Sequence, residues 1–259
     1  MDVLTPRSLA EALALKAERP DAVPIQGGTD VMVELNFDRA RPAALLNLNE
    51  VPELRGSSRE NGTLRLGSGL TYSEVMELAD PLGALAEASR TVGGPQIRNR
   101  GTIGGNLGTA SPAGDALPPL LVYGAEVEVA STRGERVVPL QEFLVGPKRN
   151  TLEPDELILA VRLAVPGSRQ TFMKIGPRNA MVIAVVSLAL AVDDDEVRAS
   201  FGSAGPVPGL VSVPLEERDE LPERVAEAAS PIDDVRGTAR YRWHALRVLT
   251  ERALERCLA

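Results

Sequence analysis

Residues 100–115 read RGTIGGNLGTASPAGD, and the rest of the chain is interpreted from this stretch. Five glycines recur in it among threonine and serine hydroxyls, and Asp115 closes it. Because glycine has no Cβ and tolerates positive φ, its backbone N–H groups can approach a ligand closely. Consecutive N–H groups of this kind bind anions such as the phosphates of a nucleotide. The stretch therefore predicts a phosphate-binding loop with Asp115 as an acceptor for ribose hydroxyls; the alternative is a glycine-rich turn without a ligand.

A second glycine turn lies earlier in the chain, at residues 26–30, which read QGGTD. Residues 23–25, a short apolar run typical of a buried strand, precede it, and residues 31–35 can form a helix. In this strand–turn–helix context the N–H groups of the turn point outward together, toward an anion. Gly-Gly-Thr alone is weak evidence, because it is equally typical of a tight turn.

Composition excludes several classes of protein. The 259 residues carry a net charge of −8 without a block of lysine or arginine, so we expect no nucleic-acid surface. Cys257 is the only cysteine, which rules out an internal disulfide and any cysteine-ligated iron–sulfur or zinc site built from this chain alone. His244 is the only histidine and falls in a helical pattern, so we expect no His-rich metal site.

The chain also shows no sign of a membrane anchor. No apolar run reaches the roughly 18–20 residues that a spanning helix needs, and the first residues do not read as a signal peptide. We therefore expect a soluble, cytoplasmic protein. Its length and its 44% hydrophobic content allow one large domain or two smaller ones.

The hydrophobic pattern changes repeatedly between strand and helix periods, which predicts a mixed α and β protein. Helices are expected at 9–16, 71–77, 82–89, 116–124, 222–229 and 237–258, and strands at 44–47, 63–67, 125–130, 137–139, 156–164, 170–175 and 197–202. Residues 57–62 read as a polar turn, 181–192 as a buried strand or a helix, and 205–222 as irregular chain. The clearest break, Pro166-Gly167, predicts a domain boundary.

Several motifs, taken in order, resemble those of one family. They are residues 25–31 (IQGGTDV), 102–106 (TIGGN), 110–115 (ASPAGD), Lys174 with Arg178, and 231–242 (PIDDVRGTARYR). Together they are similar to the FAD-binding (medium) subunit of molybdenum hydroxylases, the family of the carbon monoxide dehydrogenase medium subunit and the xanthine dehydrogenase FAD domain. The resemblance covers the chain from about Thr5 to Leu258.

The resemblance implies an α+β fold. Its first part would be a PCMH-type FAD-binding domain at residues 1–166, made of two α/β subdomains at roughly 1–54 and 55–166. Residues 167–259 would form a smaller C-terminal domain with a three-stranded antiparallel sheet and helices.

The resemblance also implies which residues bind FAD. One turn would hold the pyrophosphate through its backbone N–H groups: Ile25, Gln26, Gly27, Gly28, Thr29, Asp30 and Val31. The second loop would hold the other side: Thr102, Ile103, Gly104, Gly105 and Asn106. Thr109 adds a hydroxyl donor, Asp115 would accept a hydrogen bond from the nucleotide portion, and Ile158 would form an apolar wall. No catalytic residue and no metal ligand is assigned to this chain.

Lys174 is one of only three lysines, with Lys16 and Lys148, and it lies in a predicted strand. By the resemblance, its ammonium would lie near the N1/O2 edge of the flavin and stabilise the reduced, anionic form, which is one way in which proteins tune this cofactor. The alternative is a surface lysine on an edge strand.

The resemblance places the other redox cofactors on partner chains. A small subunit would carry the [2Fe–2S] clusters and a large subunit the molybdopterin, in a dimer of heterotrimers. Electrons would reach FAD from the clusters and leave to NAD⁺, a quinone or another acceptor. Met181 and Val182 stand where some members carry an acidic or aromatic residue, which leaves the acceptor open.

Two other classes of function remain open at the level of sequence. One is a free-standing FAD oxidoreductase of the same fold with its own substrate site. The other is a binding or scaffold protein that keeps the fold without flavin, against which the intact glycine turns, Asp115 and Lys174 argue.

Overall fold

The computed structural model describes residues 1–165, 167 and 169–259. Its helices are α1 (Leu9–Glu18), α2 (Val31–Asn36), α3 (Tyr72–Met76), α4 (Gly83–Thr91), α5 (Pro95–Arg98), α6 (Ile103–Thr109), α7 (Leu117–Val122), α8 (Leu140–Phe143), α9 (Leu221–Ala228) and α10 (Ala239–Leu258). Its strands are β1 (Asp2–Leu4), β2 (Val23–Ile25), β3 (Ala44–Asn47), β4 (Ser57–Glu60), β5 (Thr63–Gly67), β6 (Glu126–Ser131), β7 (Gly134–Pro139), β8 (Leu144–Gly146), β9 (Arg149–Asn150), β10 (Leu157–Ala164), β11 (Gln170–Ile175), β12 (Val186–Val192), β13 (Glu196–Gly202) and β14 (Gly209–Pro214).

The first sheet is parallel, with strand order β1-β3-β2. Helix α1 covers it, begins at the Ser8 cap and buries Ala12 against Leu46 and Leu54 of the same core. Since the carboxyl ends of parallel strands meet at one edge of a sheet, the turn after β2 lies beside the end of β3. The glycine turn at 26–30 therefore emerges at that edge.

The second sheet is antiparallel, with strand order β4-β5-β10-β6-β7. Its central strand β10 fits the predicted strand at 156–164, and its side chains enter two different cores, with a bulge between Ile158 and Ala160 interrupting the alternation. Leu157 and Leu159 pack into the core of the first sheet, whereas Ile158 and Val161 pack into the large core of helices α3, α4, α6 and α7. The strand is nearly all buried because both faces of the sheet are covered.

The prediction of a polar turn at 57–62 is wrong in part, because residues 57–60 form β4. This strand is exposed along its whole length and pairs with β5 at the edge of the sheet. Asn61 and Gly62 connect the two strands with φ of 50° and 78°. Asn-Gly is the favoured pair for such a two-residue hairpin turn, so the sequence did contain the signal. The polar character of β4 concealed it.

The third sheet has four antiparallel strands, β11-β12-β13-β14, rather than the three that were expected. The extra strand β14 lies in the stretch that read as irregular chain, and it pairs with β13 at the sheet edge. In 181–192, only Val186–Val192 is a strand, and it is buried throughout because α10 covers one face of it and α7 the other. The predicted boundary at Pro166-Gly167 falls partly on Pro166, which lies outside the described residues.

Candidate cofactor-binding site

One cavity between the first and second sheets brings the two glycine motifs together. Thirteen of the sixteen predicted site residues line it: Ile25, Gln26, Gly27, Gly28, Thr29, Asp30, Val31, Thr102, Gly104, Gly105, Asn106, Thr109 and Ile158. Ile103 is fully buried behind the loop. Asp115 and Lys174 do not line the cavity.

The two motifs touch each other through backbone. A Cβ added at Gly27 would overlap the carbonyl of Arg100, so only glycine allows the two chain segments to approach this closely. Two hydrogen bonds join the same segments. Arg100 Nη2 donates to the Gln26 carbonyl at 3.0 Å, and Thr109 Oγ1 donates to Asp30 Oδ2 at 3.0 Å. The two motifs that were predicted to bind one ligand are therefore in direct contact with each other.

The turn after β2 keeps its backbone donors available. None of the N–H groups of residues 27–31 donates a hydrogen bond to another group in the part of the chain that the structure describes. Five consecutive N–H groups at a cavity wall can bind an anion of two phosphates without a lysine. This arrangement agrees with the interpretation of the QGGTD turn as a phosphate cradle.

The second glycine loop is built differently, because its N–H groups already have acceptors within the protein. The pairs are Ile103 to Leu70 O (3.0 Å), Gly104 to Ser68 O (2.8 Å), Gly105 to Thr102 Oγ1 (3.0 Å) and Asn106 to Thr102 O (3.0 Å). A Cβ at Gly104 would lie 2.6 Å from Ser68 Cβ, so this glycine is needed for close packing. Donors to a ligand from this side therefore have to come mainly from side chains.

The segment that leads into β10 contributes an apolar part of the cavity wall with one carboxylate. Leu152, Leu157 and Ile158 form this part together with Glu156. Arg136 donates to both oxygens of Glu156, from Nε and Nη2 at 2.7 Å each. The hydrogen bond from this guanidinium lowers the pKa of Glu156, against the raising effect of partial burial. Glu156 thus stays ionised and fixes the segment that leads into β10.

Asp115 and Lys174 form an ion pair of their own, with Lys174 Nζ 2.6 Å from Asp115 Oδ2. Both side chains are buried, so the alternative of a surface lysine is wrong. Burial raises the pKa of Asp115, against the lowering effect of the Lys174 ammonium. Gly114 packs against the side-chain amide of Asn106, which lines the cavity, so the pair lies close behind the second motif. The predicted contacts of the pair with FAD remain predictions.

Three buried polar atoms near the motifs have no hydrogen-bond partner among the described residues: Gln26 Nε2, Asn106 Oδ1 and Asp115 Oδ1. Gln26 and Asn106 line the cavity, whereas Asp115 does not. Buried polar groups are normally paired, so the unpaired atoms of Gln26 and Asn106 indicate a polar ligand in the cavity. Neutral donors, free turn N–H groups and an apolar part of the wall are the features that a dinucleotide cofactor such as FAD requires. The residues present therefore fit the cofactor.

The residues that line the cavity without having been assigned to it from the sequence include Ser68, Tyr72, Leu152 and Glu156. Ser68 and Tyr72 belong to the segment that crosses behind the second loop, and no local motif marks them. Glu156 is recognisable only through Arg136, which lies 20 residues away in the chain. Contacts of this kind depend on tertiary structure and leave no signal in a sequence pattern.

Comparisons with known proteins agree with the geometry. The family described as the FAD binding domain in molybdopterin dehydrogenase matches residues 1–166. The chain belongs to this family. It is 30% identical to the xanthine dehydrogenase FAD-binding subunit of Escherichia coli O157:H7, over 97% of this chain and 94% of that one. It is 31% identical to the carbon monoxide dehydrogenase medium chain of Afipia carboxidovorans, over 100% and 96%.

A comparison with solved structures leads to the same family. The reconstituted CO dehydrogenase from Oligotropha carboxidovorans contains a chain that matches with a TM-score of 0.90 at 26% identity, over 99% of this chain and 97% of that one. FAD is therefore the cofactor of this subunit, and molybdopterin and iron–sulfur clusters belong to other subunits in the homologous complexes. In the described part of the chain, no helix is long and apolar enough to cross a membrane.

Proposed function

We propose that this chain is the FAD-binding electron-transfer subunit of a multi-subunit molybdenum hydroxylase. The observation that carries the proposal is the cavity that both glycine motifs line, in which the N–H groups of residues 27–31 have no acceptor among the described residues. Bound FAD supplies the capacity to take up electrons from one-electron donors and to release them to a different acceptor. The protein positions the cofactor and sets its electrostatic environment.

Different residues of the chain bind the cofactor, shield it from water and set its electrostatic environment. The turn at 27–31 binds the pyrophosphate, Ile158 and Leu152 shield the cofactor, and the Asp115–Lys174 pair supplies a buried charge couple behind the second loop. A single cysteine, Cys257, cannot by itself ligate an iron–sulfur cluster. By similarity to the homologous complexes, a small partner subunit carries the iron–sulfur clusters and a large one carries the molybdopterin. The assembly is a cytoplasmic dimer of heterotrimers, with NAD⁺, a quinone or another molecule as the acceptor.

Absorption spectra test the proposal. The chain is purified alone and then co-expressed with the products of neighbouring genes. Flavin bands on the isolated chain, and added iron–sulfur absorbance only in the co-purified complex, are expected. A chain that stays colourless when FAD is added would overturn the assignment. Flavin that oxidises an organic substrate without partners would instead favour the free-standing oxidoreductase.

A further inference from the structure

Tyr72 is a cavity residue to which the glycine motifs assign no role. It is the first residue of α3, where Thr71 and Glu74 form a capping box that fixes the start of the helix. Tyr72 is 5% exposed and lines the cavity between the two motifs. Its position is thus set by the helix start.

The backbone attaches Tyr72 to the second glycine loop. Its N–H donates to the Gly101 carbonyl at 3.0 Å, and Thr71 forms an isolated β-bridge with Thr102. The ring lies against Gly101, where an added Cβ would be 3.0 Å from Tyr72 Cε2. Gly101 in turn abuts Gly27, whose added Cβ would lie 3.1 Å from the Gly101 Cα. The tyrosine therefore stands where the two motifs meet.

The Tyr72 hydroxyl makes no hydrogen bond to the residues that the structure describes, and it is not among the enclosed polar atoms without a partner. It is therefore open to the cavity that Tyr72 lines, although the residue as a whole is only 5% exposed. The other deeply buried tyrosine shows the usual situation. The Tyr123 hydroxyl accepts from the Leu85 N–H and donates to the Gln170 side chain. Burial and then the charges of Asp115 and Asp30 raise the pKa of Tyr72, so its hydroxyl keeps its proton and can donate.

The cavity needs a neutral donor at this point. The charged side chains that line it, Asp30 and Glu156, are both acidic. The N–H groups of residues 103–106 are already used within the protein. A phosphate oxygen facing the second motif therefore depends on side-chain hydroxyls, and a hydrogen bond to a charged acceptor is among the stronger kinds.

We propose that the Tyr72 hydroxyl donates a hydrogen bond to the pyrophosphate of FAD. This inference rests on one part of the proposed function, namely that FAD occupies this cavity. Tyr72 is then a cofactor-binding residue whose contribution does not depend on which substrate or acceptor the complex uses.

The experiment compares Tyr72→Phe with Tyr123→Phe in the full chain freed of FAD. Flavin fluorescence gives the Kd for FAD, and calorimetry gives the Kd for ADP, which carries a pyrophosphate without flavin. Tyr72→Phe should weaken both ligands by about 10- to 100-fold, since one charge-assisted hydrogen bond is lost. Tyr123→Phe should lower the unfolding temperature and leave both Kd values within about twofold, because its hydroxyl bonds only to protein.

Each outcome has a defined meaning. Wild-type chain that binds FAD, together with Tyr72→Phe that binds FAD and ADP equally well, overturns the role of Tyr72 and leaves the proposed function standing. Wild-type chain that does not bind FAD overturns both. Weaker FAD binding with unchanged ADP binding would also refute the pyrophosphate contact. Phenylalanine keeps the ring packing on Gly101, and circular dichroism of each variant verifies folding before ligands are added.

Discussion

At the scale of single residues, the buried Asp115–Lys174 pair should be sensitive to the loss of either partner. Lys174→Met would leave Asp115 buried without its counter-charge, and breaking such a pair costs about 3–5 kcal/mol. Denaturant unfolding of the FAD-free chain measures this loss. The double variant Asp115→Asn/Lys174→Met should recover most of it, because no lone charge remains. Equal stability of wild type and Lys174→Met would show that the pair does not carry this energy.

The same lysine is expected to act on the cofactor. A buried cation near a flavin stabilises the reduced anion, so Lys174→Met should lower the flavin reduction potential. Lys148→Met is the matched control, because Lys148 is largely exposed and pairs with Glu34 at 3.1 Å. Its potential should equal that of wild type. A spectroelectrochemical titration of the three FAD-loaded proteins decides the question, and an unchanged potential in Lys174→Met would remove the lysine from the flavin environment.

At the scale of elements, the contact between the two glycine motifs should not tolerate a methyl group. Gly27→Ala places a Cβ against the Arg100 carbonyl, and neither backbone segment can yield without opening the cavity. We expect FAD to be lost on purification. Gly83→Ala, at the start of α4, is the control, because its Cβ would lie 3.5 Å from the Gln170 side chain, an ordinary contact. Retention of FAD by Gly27→Ala at wild-type stoichiometry would contradict the close-approach argument.

The start of α10 depends on an acidic residue with a low pKa. Asp234 accepts hydrogen bonds from Arg242 Nη2 at 2.6 Å and Arg236 Nη2 at 2.7 Å. Partial burial would raise the pKa of Asp234, but hydrogen bonds from Arg236 and the charges of Arg242 and Arg236 outweigh it and bring the pKa to about 2. Because this value lies below the unfolded one, the ionised carboxylate stabilises the fold above about pH 4, and that stability is lost as the pH falls toward 2.

Unfolding curves at several pH values test this. Asp234→Asn should be less stable than wild type at pH 7, and the difference should shrink between about pH 4 and pH 2. The exposed Asp219, which forms only a long contact of 3.9 Å with Arg218, supplies the control variant Asp219→Asn. It should follow the wild-type curve. A difference between Asp234→Asn and wild type that is the same at every pH would refute the role of the charge.

Sequence reasoning detects individual helices, strands and turns better than it detects the contacts between them. Glycine turns, the strand at β10 and the closing helix α10 are visible because their signals lie within a few residues. The Asp115–Lys174 pair joins residues 59 positions apart, and Tyr72 meets Gly101 across an isolated bridge. Such contacts arise only when the sheets assemble. β14 was missed for a related reason: it is a half-exposed edge strand, defined by its partner β13 rather than by its own pattern.

At the scale of the whole molecule, the cofactor cavity lies between two sheets with separate cores. The turn at 26–30 extends from the parallel sheet, whereas the second loop belongs to the core on the far face of β10. A ligand held by both should therefore stabilise their association. With FAD at about 100 times its Kd, linkage predicts a gain of about 2.7 kcal/mol in the free energy of unfolding.

Hydrogen exchange shows which backbone segments FAD binding stabilises. At short exchange times, when local opening dominates, FAD should protect the backbone amides of residues 27–31 most, because those N–H groups lack acceptors in the described protein. Residues 103–109 should gain less, since their amides are already bonded within the protein. β12 and β13, at the centre of the third sheet, should change little. The same experiment on Gly27→Ala should show no protection by FAD. Protection confined to the third sheet would place the cofactor elsewhere, because only a ligand in this cavity can reach both motifs.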